Sequence, residues 1–117
     1  STRFNRMNSG SVFFYNEDGS ERKDDFVALT KTQMEQLGNL LKRTRLETFS
    51  MNQNDERKKY SQITLFGENN EVVRLWTLSE KPNYLVKYHK GDRFSSFEGY
   101  WVPEDPAVLQ AFFSSLK

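Results

Sequence analysis

The sequence predicts an α+β fold: an antiparallel β-sheet, made of an N-terminal hairpin and a four-stranded meander, packed by one inserted and one C-terminal helix. Four short runs between Tyr60 and Val102 are rich in β-branched and aromatic residues, and the turn signals GENN, EKPN and GD separate them. Strand-like runs separated by tight turns are typical of an antiparallel meander. Two capped helix starts, at Thr30 and Asp105, predict the helices.

The runs of the predicted meander read YSQITLF, EVVRLWTLS, YLVKYHK and FSSFEGYWV. Side chains alternate between the faces of a strand, so the second run places Val72 and Trp76 on one face and Val73 and Leu75 on the other. Both faces of the sheet therefore carry apolar side chains. We expect one face to pack on a helix and the other to be partly covered or used for binding.

The N-terminal part of the chain predicts a hairpin. Residues 1–10 are polar and predict a flexible lead-in, which leaves 11–117 as a single domain. The run SVFFY, from Ser11 to Tyr15, is a compact strand, and the Asp-Gly pair at 18–19 suits a hairpin turn. The return arm, residues 20–29, starts with charges and ends apolar, which predicts an acidic, solvated outer half.

Local capping signals define both predicted helices. Thr30 and Gln33 match a capping box, and an apolar stripe of Met34, Leu37 and Leu41 predicts a helix over about 31–43. Gly38 lies inside this helix and predicts close packing on a neighbour. Asp105 followed by Pro106 predicts a second helix over about 106–116. Between the first helix and the meander, residues 46–51 predict a short strand and 52–59 an exposed loop.

Composition indicates a soluble, folded single domain. The chain has 117 residues, of which 15% are aromatic, and a formal net charge of +1. A near-neutral domain has no global field that would attract nucleic acid or anionic lipid. The lack of cysteine excludes disulfides, thiolate metal sites and cysteine nucleophiles. No apolar run approaches the roughly 20 residues that span a bilayer. Because the first residue is Ser, we expect a processed N-terminus or a fragment boundary.

The sequence predicts no catalytic residue, metal site or cofactor. His89 is the only histidine, in the segment YHKGDRF. A general acid/base oriented by Asp92 or Glu98 is one interpretation, and an exposed residue at a strand end is the favoured one. A single histidine argues against a histidine metal site. The chain also has no calcium-loop spacing, P-loop or G-x-S-x-G elbow.

The predicted meander is rich in aromatic residues, and the functional prediction depends on them. Most are expected to build the core, but so many rings are hard to bury on one side of a sheet, and aromatic rings are favoured at binding surfaces. The predicted binding residues are Trp76, Tyr84, Tyr88, His89, Arg93, Tyr100 and Trp101.

We therefore predict a non-catalytic binding or accessory domain that engages a protein partner, with an inhibitor or immunity-type protein as a sharper version. One alternative is a glycan or single-stranded nucleic-acid binder that stacks its ligand on Trp and Tyr beside basic residues. Another is a small enzyme that uses His89 or a carboxylate pair such as Glu71 and Glu98. The composition leaves the compartment and the oligomeric state open.

With residues 46–51 counted, the chain offers up to seven strands and a closing helix, which is similar in outline to a pleckstrin-homology-like barrel. Two features depart from that pattern. A capped helix follows the second strand, and the first hairpin tip is acidic, with Glu17 and Asp18. An antiparallel sheet with an early inserted helix is the more economical interpretation, and the resemblance implies no function.

Overall fold

The computed structural model describes residues 7–16, 18, 20–47, 59–90 and 95–116. Within them, seven strands and two helices follow one another along the chain, with a short 3₁₀ turn at Glu68–Asn70 between the fourth and fifth strands. The strands are β1 (Met7–Tyr15), β2 (Glu21–Ala28), β3 (Thr44–Glu47), β4 (Ser61–Gly67), β5 (Val72–Thr77), β6 (Leu85–Lys90) and β7 (Ser95–Pro103). The helices are α1 (Lys31–Lys42) and α2 (Pro106–Ser114).

All seven strands belong to one antiparallel sheet with the order β2-β1-β4-β5-β6-β7-β3. Strands β4 to β7 are consecutive neighbours, which confirms the predicted meander and the α+β class. The hairpin β1–β2 extends the sheet on one side, and β3 extends it on the other. Because β2 and β3 lie at opposite edges, the described strands form an open sheet rather than the closed barrel of the pleckstrin-homology-like outline.

Strand β1 begins at Met7, four residues before the predicted start, so the predicted lead-in of residues 1–10 extends too far. Its first residues pair with the end of β4, starting with Met7 opposite Gly67. Gly10 lies where β1 comes close to both β4 and α1. A Cβ atom on Gly10 would lie 2.8 Å from Leu65 Cδ2 and 3.1 Å from Met34 Sδ. The polar, glycine-containing segment is therefore a strand, because pairing and close packing outweigh its weak strand propensity.

Helix α1 starts with the capping box that the sequence predicts. The Gln33 amide donates to Thr30 Oγ1 at 3.1 Å, and the Thr30 amide donates to Gln33 Oε1 at 2.8 Å. The helix ends at Lys42, one residue before the predicted boundary, with Arg43 as its C-cap. The capping box gives hydrogen-bond partners to two amides at the helix start, and this fixes where the chain turns from β2 into α1.

Helix α2 also begins as predicted. The Ala107 amide donates to Asp105 Oδ1 at 3.0 Å, and Pro106 occupies the first helical turn. The helix ends at Ser114, two residues before the predicted boundary. The Glu104 amide donates to the carbonyl of Arg43 at 3.0 Å, so the start of α2 is tied to the end of α1. The two helices thus lie beside each other on one face of the sheet.

The face that the helices cover, here called the helix face, holds the main core. Its described buried side chains come from β1, β4, β5, β6 and β7 and from both helices. They are Val12, Phe14, Ile63, Leu65, Val73, Leu75, Leu85 and Trp101 from the strands, and Leu37, Leu40, Leu41, Leu109, Phe112 and Phe113 from the helices. Burial of such a side chain contributes about 1.5–3 kcal/mol each, so this layer is the main stabilising element of the fold.

The interpretation of Gly38 as a close-packing position is wrong. A Cβ atom built on Gly38 meets no atom within 4 Å. The glycine therefore costs helix propensity without making room for a neighbour. Gly10 and Gly38 are thus opposite cases: one glycine is required by its surroundings, and the other is not.

We expect Gly38→Ala to raise the free energy of unfolding by about 0.5–1 kcal/mol, because alanine favours the helix and fills open space. We expect Gly10→Ala to lower it by about 1–3 kcal/mol, because the new methyl group overlaps Leu65. Urea denaturation of both variants measures the two changes. Equal effects of the two substitutions would contradict this account of the two sites.

Candidate binding surface on the uncovered face

The face of the sheet opposite the helices, here called the reverse face, carries one continuous row of side chains. Each residue of the row is the cross-strand partner of the next one, from β2 through β1, β4, β5 and β6 to β7. The row consists of Phe26, Phe13, Gln62, Trp76, Val86 and Tyr100. Directly opposed residues share a face and contact each other, so the row acts as one surface rather than as isolated positions.

Solvent exposure falls along this row from one edge of the sheet to the other. Phe26 is 62% exposed, and Phe13 and Gln62 are half-buried. Trp76 is 7% exposed, and Tyr100 is 3% exposed. We call the part around Phe26 and the adjoining Phe13 the open end, and the part around Tyr15, Trp76, Val86 and Tyr100 the closed end. The reverse face, which no described helix covers, is therefore buried by its own side chains at the β5–β7 side and exposed to solvent at edge strand β2.

The closed end is a second hydrophobic cluster. Its buried members are Tyr15, Trp76, Val86 and Tyr100, with Phe13, Leu78, Tyr84 and Val102 packed around them. The rings of Tyr84 and Tyr100 meet edge to face, with centroids 4.9 Å apart. Aromatic pairs in this geometry contribute about 0.5–1.5 kcal/mol beyond their buried area. The sheet thus covers part of its second face with its own aromatic side chains.

A chain of hydrogen bonds runs across the boundary between the two ends. Trp76 Nε1 donates to the hydroxyl of Tyr15 at 3.1 Å, and this hydroxyl donates to Gln62 Oε1 at 3.1 Å. Gln62 Nε2 then donates to Thr64 Oγ1 at 2.9 Å. The ammonium of Lys59 lies 4.8 Å from the centre of the Trp76 ring, a cation–π contact. These contacts link β1, β4 and β5 and hold the aromatic side chains in one arrangement.

The predicted binding residues do not lie together on one surface. Trp76, Tyr84 and Tyr100 belong to the closed end of the reverse face. Trp101 lies on the helix face, 7% exposed, with the Lys87 ammonium 5.3 Å from its ring centre. The backbones of Tyr88 and His89 lie in β6, but the structure does not describe their side chains, and Arg93 lies outside the described residues.

Three of the predicted binding residues are too deeply buried to stack a ligand on their rings. A side chain that is 93% or more covered offers no free ring face on which a base or a sugar can stack, and this applies to Trp76, Tyr100 and Trp101. The role of the seven residues in binding stays a prediction. If the reverse face binds a partner, contact begins at the open end, where rings are accessible without rearrangement.

Sequence reasoning missed the open end. The return arm is predicted to be solvated in its charged outer half and apolar from Phe26 onwards, but the sequence does not predict that the Phe26 ring stays exposed. The signal that points to it is the run SVFFY, because two consecutive phenylalanines in a strand place one ring on each face. Phe14 joins the core of the helix face, and Phe13 lies on the reverse face directly opposite Phe26.

A second exposed apolar pair lies on the reverse face, near the turn between β4 and β5. Phe66 and Val72 are cross-strand partners, and they are 43% and 39% exposed. Ser11 and Thr64 lie between this pair and Phe26 in the cross-strand pattern, and both are buried polar residues. The pair is therefore a separate, smaller surface.

A groove of about 950 Å³ lies between the two helices on the other side of the molecule. Leu40 and Phe112 contribute to its apolar lining, and Val108 is 51% exposed beside them. Its polar lining carries charges of both signs, Lys42 and Arg43 with Glu104 and Asp105. These charges oppose one another, so the groove offers no single sign of charge that would select an ionic ligand.

Comparison with known proteins gives no functional assignment: no family model matches the chain, and no curated protein or solved structure is significantly similar to it. Within the described ranges, no group of three His, Cys, Asp or Glu residues is placed to hold a metal ion. Among the same residues, no helix has the length and apolar character needed to cross a membrane. The functional argument therefore depends on the surfaces.

We expect Tyr15→Phe to lower the free energy of unfolding by about 1–2 kcal/mol, because Trp76 Nε1 and Gln62 Oε1 lose their shared hydroxyl partner in a buried setting. A double-mutant cycle with Gln62→Leu isolates the pair, and we expect a coupling energy of at least about 0.5 kcal/mol. Additive effects of the two substitutions would show that the hydrogen bond between Tyr15 and Gln62 does not contribute to stability.

Proposed function

We propose that this protein is a binding module that docks a protein partner on the open end of its reverse face. The observation that supports this proposal most directly is the exposure of Phe26. It is 62% exposed, more than any other large hydrophobic side chain that the structure describes, and it lies directly opposite the half-buried Phe13. Aromatic side chains are enriched at protein interfaces, where their burial on binding contributes large free energies.

The surroundings of Phe26 also suit an interface. The row that starts at Phe26 continues into the hydrogen-bonded set of Tyr15, Gln62 and Trp76, which fixes the surface beside it. A partner that docks on a preorganised surface loses less conformational entropy than one that must order it. The open end is thus an accessible apolar edge on a rigid support.

A protein partner is favoured over a glycan or a single-stranded nucleic acid. Binders of those ligands use several accessible rings on which successive units stack. Along the row, ring exposure falls from 62% at Phe26 to 7% at Trp76. One exposed ring beside a half-buried one suits an apolar side-chain contact better than serial stacking.

Photo-crosslinking tests the proposal in cells that express the protein. A benzoylphenylalanine at position 26 should crosslink a discrete protein, while the same residue at position 108, exposed on α2, should not yield that adduct. Once the adduct is identified and the partner purified, Phe26→Asp should weaken its binding by roughly tenfold or more. Val108→Asp is the matched control and should leave binding unchanged. Equal losses in both variants, or the same adducts at both positions, would contradict the proposal.

A further inference from the structure

Backbone groups of edge strand β2 point away from the sheet beside Phe26. The Leu29 amide donates to the carbonyl of Gly10 at 2.9 Å, and the register places these two residues directly opposite each other. Hydrogen-bonded and non-hydrogen-bonded pairs alternate along an antiparallel ladder. Val27 therefore directs its N–H and C=O towards β1. Phe26 and Ala28 direct theirs towards the open edge.

The other side of β1 supports the same assignment. The Tyr15 amide donates to the carbonyl of Tyr60 at 2.8 Å, so odd-numbered residues of β1 direct their backbone groups towards β4. Val12, opposite Val27, accordingly faces β2. Among the described strands, β2 pairs with β1 alone. Two donors and two acceptors, from Phe26 and Ala28, thus lie along an edge with which no further described strand pairs.

We propose that the partner contributes an extended segment that pairs with β2 at residues 26–28 and so adds an eighth strand to the sheet. Backbone N–H and C=O groups at this spacing are matched by another extended strand, which is how strand addition provides affinity. A strand paired there would form about four backbone hydrogen bonds, two with Phe26 and two with Ala28. This inference rests on the proposed function, because it takes the open end as the docking surface.

The side chains define the chemistry of this segment. Partner residues opposite Phe26 and Ala28 project onto the reverse face, where Phe26 is exposed and Phe13 lies next to it. The segment therefore carries apolar side chains at these alternate positions, separated by a residue opposite Val27. Such a strand would cover Phe26 and continue the row of the reverse face by one more position.

The occupant is a segment of another protein rather than a second copy of this chain. Helix α1 begins at Lys31, three residues after β2 ends at Ala28. Two antiparallel copies of β2 would place both helix starts against the ladder. Towards the start of β2, the pairing of β1 with β2 is irregular: Phe13 lies opposite Phe26, but Tyr15 lies opposite Glu21. The regular part of β2 is therefore short. A free extended segment has no such helix and adapts to this short regular edge.

Peptide selection followed by backbone methylation tests the inference on the intact protein. A phage library of random nine-residue peptides is selected on the wild-type chain without counter-selection, and every enriched peptide is then measured on Phe26→Asp as well. Enriched peptides are synthesised, and their dissociation constants are measured by fluorescence anisotropy. N-methylation of single peptide residues should weaken binding by roughly tenfold or more at alternate positions and little in between, because only alternate amides face β2.

The protein itself offers a matched pair of variants. Ala28→Pro removes the outward amide while leaving the ladder to β1, and it should weaken the same peptides by a similar factor. Ala28→Val keeps the amide and should bind normally. If Ala28→Pro fails to fold, the methylation pattern still decides the matter.

Three outcomes would overturn the inference, and they are distinguishable. Peptides that need Phe26 but tolerate methylation at every position would exclude strand addition and leave the proposed function standing. Peptides that bind Phe26→Asp as tightly as wild type would count against the proposed function as well. Self-association of the wild-type chain that Ala28→Pro abolishes would show that a second copy occupies the edge.

Discussion

A sheet of seven strands has two faces, and two short helices cover only one of them. This constraint shapes the rest of the molecule. The helix face receives α1 and α2, whose positions are fixed by the caps at Thr30 and Asp105 and by the hydrogen bond from Glu104 to Arg43. The reverse face has no helix among the described elements. Among the described residues, its apolar side chains either cover one another or are exposed to solvent.

The molecule does both. At the closed end, Tyr15, Trp76 and Tyr100 bury one another, and the Tyr15 hydroxyl satisfies the indole N–H that this burial removes from water. At the open end, the sheet finishes with Phe26 on an edge strand. An edge strand with an exposed apolar residue is a hazard for unwanted pairing unless it is protected or used.

The sequence predicted those parts of the fold that depend on local chemistry. Both helix starts were predicted correctly because capping involves residues three or fewer apart, as with Thr30 and Gln33. The start of β1 was missed because Met7 is held by pairing with Gly67, a partner far away in sequence. The location of the exposed aromatic surface was missed for the same reason. Alternation shows which side chains share a face, but only the strand order places Phe26 at an edge and Trp76 at the centre.

Amide hydrogen exchange along the end of β2, resolved by NMR, tests the central claim most directly. If residues 26–28 form an open edge, Val27 and Leu29 are protected because their amides bond to β1. Phe26 and Ala28 then exchange quickly because theirs face solvent. This alternation is the expected result. Uniform protection from Phe26 to Leu29 would contradict the account, because it would show that the edge is already paired and that no partner strand can be added there.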